Sequence, residues 1–255
     1  AVGLEYMHKG KKRKITAHKE VILSAGSLMS PAILQRSGVG ASEDTKPHGI
    51  DLIHELPGVG KNLQDHIDFN FCFKTNDKNT LGFSPGGFLK ILGEAAKWLV
   101  HGNSMISSTL SEAGGFLKTE QSLKRPDIQH HFVIGLIDDH LRKLHYGYGY
   151  SCHVCLLRPY SRGTVTLASA KHDDAPLINP NFLDDTRDVD ILIKGAKMTQ
   201  NILNTPPLKK YQKREIYGVH SNLTDKEWED HIRNRADTIY HPVGTCKMGK
   251  DPLAV

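Results

Sequence analysis

The chain has 255 residues, and its share of 38% hydrophobic and 24% charged residues is typical of a globular protein rather than a disordered or fibrous one. Basic residues number 33 and acidic residues 28, and their scatter without interleaved aromatic residues argues against a nucleic-acid partner. Every apolar run is far shorter than the roughly 20 residues of a bilayer span, so we expect no transmembrane helix.

The two ends of the sequence and its cysteines indicate whether the chain is part of a longer protein and in which compartment it is found. The sequence begins without Met or a secretory signal and stops at Val255 without a terminating helix, so we expect a piece of a longer protein. Four cysteines are too few for a disulfide scaffold, which favours a reducing compartment. We therefore expect a cytoplasmic protein, with peripheral association with the inner membrane left open.

The first predicted element is a β-hairpin. Segments 2–7 and 15–17 alternate between apolar and polar residues, and the basic run 9–14 around Gly10 lies between them. A nuclear localisation signal or a phosphate-binding patch would be the functional interpretation of this run. The flanking alternation favours a solvated hairpin tip instead.

A buried strand, a glycine turn and a helix are predicted next. Residues 21–25 form a continuous apolar run, typical of a buried strand, which breaks at Gly26. Ser30 suits the N-cap of the following helix, Pro31 its first position and Gly38 its left-handed end. This order of elements brings backbone amides close to a bound anionic cofactor.

A loop and a further strand follow. Residues 56–62 carry two glycines around Pro57 and predict a loop. Phe69, Phe71 and Phe73 then alternate with polar residues or cysteine, which predicts a strand.

An amphipathic helix is predicted between Pro85 and Gly102, because apolar residues recur there at helical spacing: Phe88, Leu92, Ala95 and Leu99. Residues 103–115 are rich in glycine and serine and show little periodicity. They predict a loop, which belongs either to an active site or to a surface connection.

Segments 151–158 and 164–169 are predicted strands, and Gly163 in the turn between them suits a hairpin. The first strand contains Cys152 and Cys155, a Cys-x-x-Cys that raises the question of a metal site in a chain with 15 histidines. Residues three apart on a strand point to opposite faces, and no second cysteine pair follows at zinc-finger spacing. We therefore favour structural packing and expect no metal.

Two more helices are predicted towards the end of the chain. Asp184, Asp185 and Asp188 crowd the first turn of a helix that Pro206 ends. Thr224 and Glu227 form a capping box that begins the next helix. The apolar stripe of the first of these helices comprises Val189, Leu192, Ile193, Ala196 and Leu203.

Three blocks of the sequence carry a family resemblance. Residues 26–40 form a pattern of fifteen positions with fixed glycines, and blocks 56–66 and 240–249 follow it in the expected order. Together they closely resemble the signatures of the glucose-methanol-choline (GMC) oxidoreductases, flavin enzymes that oxidise alcohols. The sequence looks most like the bacterial choline and alcohol dehydrogenase branch of that family.

The resemblance implies a two-domain α/β flavoprotein, in which an FAD-binding domain is interleaved with a substrate domain of antiparallel sheet and helices. It assigns residues 1–66 to part of the FAD-binding domain, residues 67–236 to the substrate domain, and residues 237–255 to a return to the FAD-binding domain. The implied reaction is oxidation of a primary alcohol to the aldehyde, with electrons passing to a quinone, a carrier or oxygen.

The resemblance also implies a catalytic residue. His241, in the His-Pro-x-Gly-Thr block, would take the hydroxyl proton while hydride leaves for the flavin; without the resemblance, a lone histidine would be interpreted as a packed core residue. An imidazole suits this task because its ordinary pKa lies near the working pH. His66 is expected to be structural. Cofactor contacts are implied for Ala25, Gly26, Asn62, Asp65, Pro242 and Val243.

Residues 110–116 look like the choline-branch motif His-Phe-Glu-Ala-Gly-Gly-Phe, which places a carboxylate near the cationic head of the substrate. Glu112 is kept, whereas Leu110 stands in place of the histidine. This change puts choline in doubt and favours an aliphatic or other primary alcohol. His131 falls at a substrate-pocket position, with packing on a strand as an equal alternative.

Two parts of the family pattern are not found in the sequence: the Gly-x-Gly-x-x-Gly that seats the flavin pyrophosphate, and the second catalytic His or Asn. We therefore expect the chain alone to be inactive. Two rival interpretations stay open, namely a non-catalytic binding or scaffold protein that keeps the fold, and a metal-dependent enzyme built on the histidines.

Overall fold

The computed structural model describes residues 1–255. The α-helices are α1 (Gly26–Arg36), α2 (Ser42–Thr45), α3 (Pro85–His101), α4 (Thr186–Leu203), α5 (Pro206–Lys209) and α6 (Asp225–Arg235). The strands are β1 (Gly3–His8), β2 (Lys11–Thr16), β3 (Val39–Gly40), β4 (His54–Glu55), β5 (Ile67–Thr75), β6 (Gly82–Phe83), β7 (Ser111–Leu117), β8 (Ile128–Val133), β9 (Gly147–Leu156), β10 (Thr164–Thr166), β11 (Leu177–Asn179), β12 (Arg214–Glu215) and β13 (Asp237–Thr238).

The chain divides into two compact units. Residues 163–179 group with unit 1, whereas the sequence assigned them to the substrate part; the functional assignment of the segments stays a prediction. Unit 1 comprises Ala1–Leu63, Gly163–Asn179 and Val243–Val255, and unit 2 comprises Gln64–Arg162 and Pro180–Pro242.

Unit 1 begins with the predicted hairpin. Strands β1 and β2 pair antiparallel, and Lys9 and Gly10 between them both have positive φ angles, of 49° and 72°. Two positive φ angles are what a two-residue hairpin turn requires. All side chains of β2 are exposed to solvent. The interpretation of the basic run as a solvated hairpin tip is therefore confirmed.

The strand predicted at residues 21–25 is wrong. The segment forms no strand pair, and the side chain of Ile22 is 77% exposed. An apolar run becomes a buried strand only where a neighbouring strand takes up its backbone hydrogen bonds. No other strand of the chain lies alongside this segment to do so.

Helix α1 begins at Gly26, not at Pro31, so the predicted N-cap is wrong as well. Ser30 lies inside the helix, and its hydroxyl accepts a hydrogen bond of 3.0 Å from the backbone N–H of Ala25. Pro31 cannot donate to the carbonyl of Ser27, and the hydroxyl of Thr245 donates to that carbonyl instead. A helix accommodates an interior proline when the carbonyl that loses its partner finds another, as it does here.

Two predicted glycine positions of unit 1 are confirmed. Gly38 follows α1 with a φ of 76°, the left-handed conformation predicted for the helix end. Gly60, in the predicted loop, has a φ of 79°, and a Cβ there would stand 2.1 Å from the carbonyl oxygen of Val165. The buried side chain of Gln35 donates to the carbonyls of Val59 and Val165, which ties α1 to this loop and to β10.

Unit 2 is built on a sheet with the strand order β12-β5-β9-β8-β7, in which neighbouring strands are antiparallel. On one face, α4 and α6 cover the phenylalanines of β5. Trp228 of α6 is fully buried and makes edge-to-face contacts with Phe69 and Phe71, at ring-centroid distances of 6.2 and 6.0 Å. Aromatic pairs of this geometry contribute about 0.5–1.5 kcal/mol each beyond area burial.

The helices of unit 2 follow the sequence pattern closely. The predicted stripe of α4 is buried, and Thr224 and Glu227 form both hydrogen bonds of the capping box of α6. Helix α3 has the predicted limits, but its apolar stripe is exposed, with Phe88 at 62% and Leu99 at 77%. No helix combines the length and the apolar character needed to cross a bilayer.

Two further predictions are wrong. Strand β9 pairs with β5 and β8, and β10 pairs with β11, so segments 151–158 and 164–169 do not form a hairpin. The residues between these segments are held by α4 instead, because its buried Asp188 accepts hydrogen bonds from the backbone N–H groups of Tyr160 and Ser161. The predicted loop 103–115 ends early, since β7 begins at Ser111 through pairing with β8.

We predict that Asp188→Asn destabilises the chain by about 2–3 kcal/mol. The carboxylate accepts three hydrogen bonds, at 2.7, 2.9 and 2.6 Å. An asparagine amide would point its own N–H group at one of these donors, which would then lose its acceptor. Urea unfolding measures the change in the free energy of unfolding. The control is Asp184→Asn, at an exposed position of the same segment. Equal stabilities for the two variants would contradict the buried role of Asp188.

Candidate active site

The face of the unit 2 sheet opposite the helices is polar. Successive side chains of a strand point to opposite faces, so Asp68 and Asn70 face away from the phenylalanines of β5. Asn70 pairs with His153 of β9, which pairs with His131 of β8. The register therefore aligns three polar side chains across neighbouring strands.

The histidines of this row have distinct partners. His153 Nδ1 donates to the carboxylate of Asp68, and both side chains are largely buried. The Nε2 atom of His131 is buried and has no hydrogen-bond partner in the chain. Burial lowers the pKa of His131, and the neighbouring His153 adds to this effect, so both favour the neutral form of His131.

The carboxylate of Asp65 holds the segment that carries His241. One oxygen accepts a hydrogen bond of 2.9 Å from the backbone N–H of His241, and the other accepts from the hydroxyl of Thr238. The same hydroxyl accepts from the backbone N–H of Tyr240, whose φ of 65° lies in the left-handed region. Both carboxylate oxygens of Asp65 thus fix the local backbone immediately before the His241 side chain.

The rings of His66 and His241 are in contact. Their Nδ1 atoms lie 3.1 Å apart, and the rings meet edge to face with centroids 5.1 Å apart. Burial lowers the pKa of His66, and the nearby His241 lowers it further. His131 lies within electrostatic range of both rings. These histidines, with His153, Asp65 and Asp68, form a polar cluster within unit 2.

Glu112 lies at a β-bulge in β7, where the register with β8 shifts between Ser111 and Ala113. Bulges re-aim side chains and are common beside active sites. The Glu112 carboxylate is exposed and accepts a hydrogen bond from the hydroxyl of Ser108. Glu112 and His131 line the same cleft, which β7 and the facing part of β8 form.

Four of the six residues predicted to contact a cofactor lie in unit 1. They lie on three segments of the chain that hydrogen bonds connect. Asn62 Nδ2 donates to the carbonyl of Gly244 at 3.1 Å, and the carbonyl of Thr245 accepts from Gly60 N–H at 2.8 Å. The Thr245 hydroxyl reaches Ser27, next to Gly26. The structure therefore brings the start of α1, the loop before Asn62 and the segment after Pro242 together within unit 1.

Asp68, His153 and Thr238 are residues of the candidate site that were not predicted from the sequence. The strand pattern contained a signal for the first, since residues that alternate with the core phenylalanines must face the other way. His153 was open to the same argument within β9. Thr238 carried no comparable signal, because its role depends on the pairing of Thr238 with Ile67. The assigned roles of the predicted site residues stay predictions.

Comparison with known proteins shows to which family the chain belongs. Two family models, both described as GMC oxidoreductase, match residues 1–68 and 159–255. The chain belongs to the GMC oxidoreductases. It is 42% identical to an alcohol dehydrogenase [acceptor] of Pseudomonas putida and 36% identical to an oxygen-dependent choline dehydrogenase of Cronobacter sakazakii. Each similarity covers the whole of this chain and 47% and 46% of the respective relative.

Solved structures agree with this GMC assignment. Pyridoxine 4-oxidase from Mesorbium loti superposes with a TM-score of 0.81 at 25% identity, over 99% of this chain and 45% of its own. A formate oxidase gives a TM-score of 0.85 at 26% identity, over 96% of this chain and 47% of its own. The GMC chain described here thus spans about half the length of the relatives it matches.

The GMC family and a formate oxidase structure that concerns FAD modification, 25% identical to this chain, indicate FAD as the cofactor. Local features of unit 1 fit such a group. Ala25, the N-cap residue of α1, supplies no side-chain cap, and only its own backbone N–H is taken up by Ser30. Gly26 has a φ of 80°, and a Cβ at this position would meet no atom within 4 Å. The backbone there is open to close approach, and the N-terminal end of a helix favours polar or anionic ligand groups. Of the residues predicted to contact the cofactor, Ala25, Gly26, Asn62 and Val243 lie in unit 1, whereas Asp65 and Pro242 lie in unit 2. Their cofactor contacts stay predictions.

We predict that the free energy of unfolding falls as the pH drops from about 7 towards 5. Burial lowers the pKa of His66, His130, His131 and His231, so the unfolded chain, whose histidines titrate near 6.5, binds protons before the folded chain does. Lowered carboxylate pKa values, such as about 2 for Asp185, act only below about pH 4.

His130→Gln tests the cause. The Thr199 hydroxyl donates to Gly195, so it accepts from His130 Nε2, and a glutamine amide can make the same donation without titrating. Urea unfolding across this pH range should show a shallower dependence for His130→Gln than for the parent. His172→Gln, at an exposed side chain, is the control. A steeper or unchanged dependence in His130→Gln would contradict the assignment.

Proposed function

We propose that the complete protein oxidises a primary alcohol to the aldehyde, with His241 as the base. The observation that carries this proposal is the placement of His241: its backbone is fixed by Asp65, and its Nδ1 is engaged by His66, so that Nε2 is the ring nitrogen left to act on a substrate. FAD, when bound, would accept the hydride that leaves the alcohol carbon.

The work of the chain in this reaction is to remove the hydroxyl proton. A neutral imidazole nitrogen accepts that proton at near-neutral pH, and a positioned base of this kind contributes roughly 100- to 10,000-fold to a rate. The hydrogen bond from His241 N–H to Asp65 and the contact with His66 limit the movement of the ring. Pro242 further restricts the backbone on the other side of His241.

The cleft that Glu112 and His131 line supports a choice of substrate class. The Glu112 carboxylate is exposed and already accepts from Ser108, and Leu110 offers no polar group beside it. A cationic head group would gain from Glu112, whereas Leu110 suits an apolar chain. Because Glu112 is exposed, its attraction for a cation is screened by solvent, and the loss of the polar partner at Leu110 supports an aliphatic or other neutral primary alcohol over choline. The acceptor, a quinone, a carrier or oxygen, and any peripheral membrane association stay predictions.

We predict that His241→Ala, in the complete FAD-loaded protein, slows flavin reduction by the alcohol roughly a hundredfold or more, or about 3 kcal/mol. The flavin should stay bound, because one side chain contributes little to holding a large cofactor. Stopped-flow absorbance measures the reduction across pH, and the rate of the variant should depend less on pH near neutrality.

The control for this experiment is His172→Ala, at an exposed position of unit 1, which should reduce at the parent rate. If His241→Ala keeps its flavin and matches the parent rate, His241 is not the base. A parent protein with no flavin absorption would instead support a non-catalytic binding or scaffold role.

We predict that Glu112→Gln changes KM for neutral primary alcohols by less than about threefold but raises KM for choline-like alcohols about tenfold. The substitution removes a negative charge and keeps the shape of the side chain, so only a cationic substrate loses an attraction. Steady-state kinetics on a matched pair of alcohols, one neutral and one carrying a quaternary ammonium, measures both effects. Equal changes for the two alcohols would leave Glu112 a structural carboxylate.

A further inference from the structure

The contact between His66 and His241 restricts where hydrogen atoms can stand. Two nitrogen atoms 3.1 Å apart form a hydrogen bond only if one carries hydrogen and the other presents a lone pair. Two lone pairs would repel, and two N–H groups would clash. A neutral pair therefore has two arrangements, and these leave His241 in opposite tautomers.

A second contact of His66 selects between the two arrangements. The pairing of Ile67 with Leu156 sets Leu157, just after the end of β9, beside His66, and the His66 ring interacts with the backbone carbonyl of Leu157. Because Nδ1 of His66 faces His241, Nε2 is the nitrogen left to donate to Leu157. A carbonyl only accepts, so His66 carries its hydrogen on Nε2 and presents a lone pair at Nδ1.

The hydrogen position on His66 then determines the one on His241. With a lone pair on His66 Nδ1, the hydrogen between the rings belongs to His241 Nδ1, and His241 Nε2 is left with a lone pair. We propose that His66 is a positioning residue that holds His241 in its Nδ1–H tautomer and so makes Nε2 the basic atom. This inference rests on the proposed role of His241 as the base.

The charged groups around the pair are compatible with this arrangement. Asp65 is a carboxylate that acts on His66, but its oxygens accept hydrogen bonds from the backbone N–H of His241 and from Thr238. Arg158, His131 and His241 itself act against a positive charge on His66, as does burial. A neutral His66 is the form that can accept at Nδ1, so the surroundings favour the acceptor that the arrangement needs.

A positioning role and simple packing of His66 predict different effects of substitutions. His66→Asn places an amide oxygen near the position of Nδ1 and keeps an acceptor for His241, whereas His66→Leu fills similar space without one. Packing alone predicts similar behaviour of the two variants. Tautomer selection predicts that Asn retains the parent properties and that Leu loses them.

The decisive measurement is the ring ¹⁵N spectrum of His241 in the complete FAD-loaded protein labelled at histidine. The His241 signals are assigned as those that vanish in His241→Ala. We expect a protonated Nδ1 and an unprotonated Nε2 at neutral pH in the parent and in His66→Asn, and a shift towards the Nε2–H form in His66→Leu. A protonated Nε2 in the parent would overturn the inference directly.

Flavin reduction gives the second readout. We expect His66→Leu to slow reduction roughly ten- to a hundredfold, and His66→Asn to stay within about threefold of the parent. Equal rates for the two variants, with flavin bound in both, would overturn the positioning role. The spectrum separates this failure from that of the proposed function, because it reports the His241 tautomer even if His241→Ala reduces normally.

Discussion

The candidate site depends on the antiparallel pairing of β5 with β9. This pairing runs the whole length of β5, from Ile67 to Thr75, and both faces of β5 are buried. One face carries the phenylalanines that Trp228 covers, so the strand cannot slip by one residue without moving them out of the core. Fixing the core face therefore fixes the polar face. The positions of Asp68 and Asn70 follow from the burial of Phe69 and Phe71.

Burying a polar face is unfavourable unless its groups find partners, and the partners here come from several elements. Asp68 accepts from His153 across the sheet, and Asn70 donates to the carbonyl of Ile137. At the start of the same strand, Thr238 of β13 pairs with Ile67. Asp65 and His66 lie just before this pairing, so the strand that forms the core also delivers the two residues that contact His241.

The sequence predicted this arrangement unevenly. Hydrophobic periodicity and caps identified α4 and α6, because burial and capping act within one segment. The strand at residues 21–25 and the start of α1 were wrong, since both depend on distant groups: a missing pairing strand in one case and the Thr245 hydroxyl in the other. The role of His241 came from the family resemblance, whereas its contacts with Asp65 and His66 required the register of β5 and β13.

A neutral partner at Nδ1 has a consequence that an aspartate would not have. In catalytic triads a carboxylate selects the tautomer of the histidine and also stabilises its protonated form. In the arrangement inferred here these two tasks are separate. His66 selects the tautomer without adding charge, while the charge of Asp65 is directed at the backbone N–H of His241 and at Thr238. A base that takes a proton from an alcohol must release it before the next turnover, and a full negative charge at Nδ1 would oppose that release. The histidine pair therefore suits a base that has to be oriented firmly but regenerated easily.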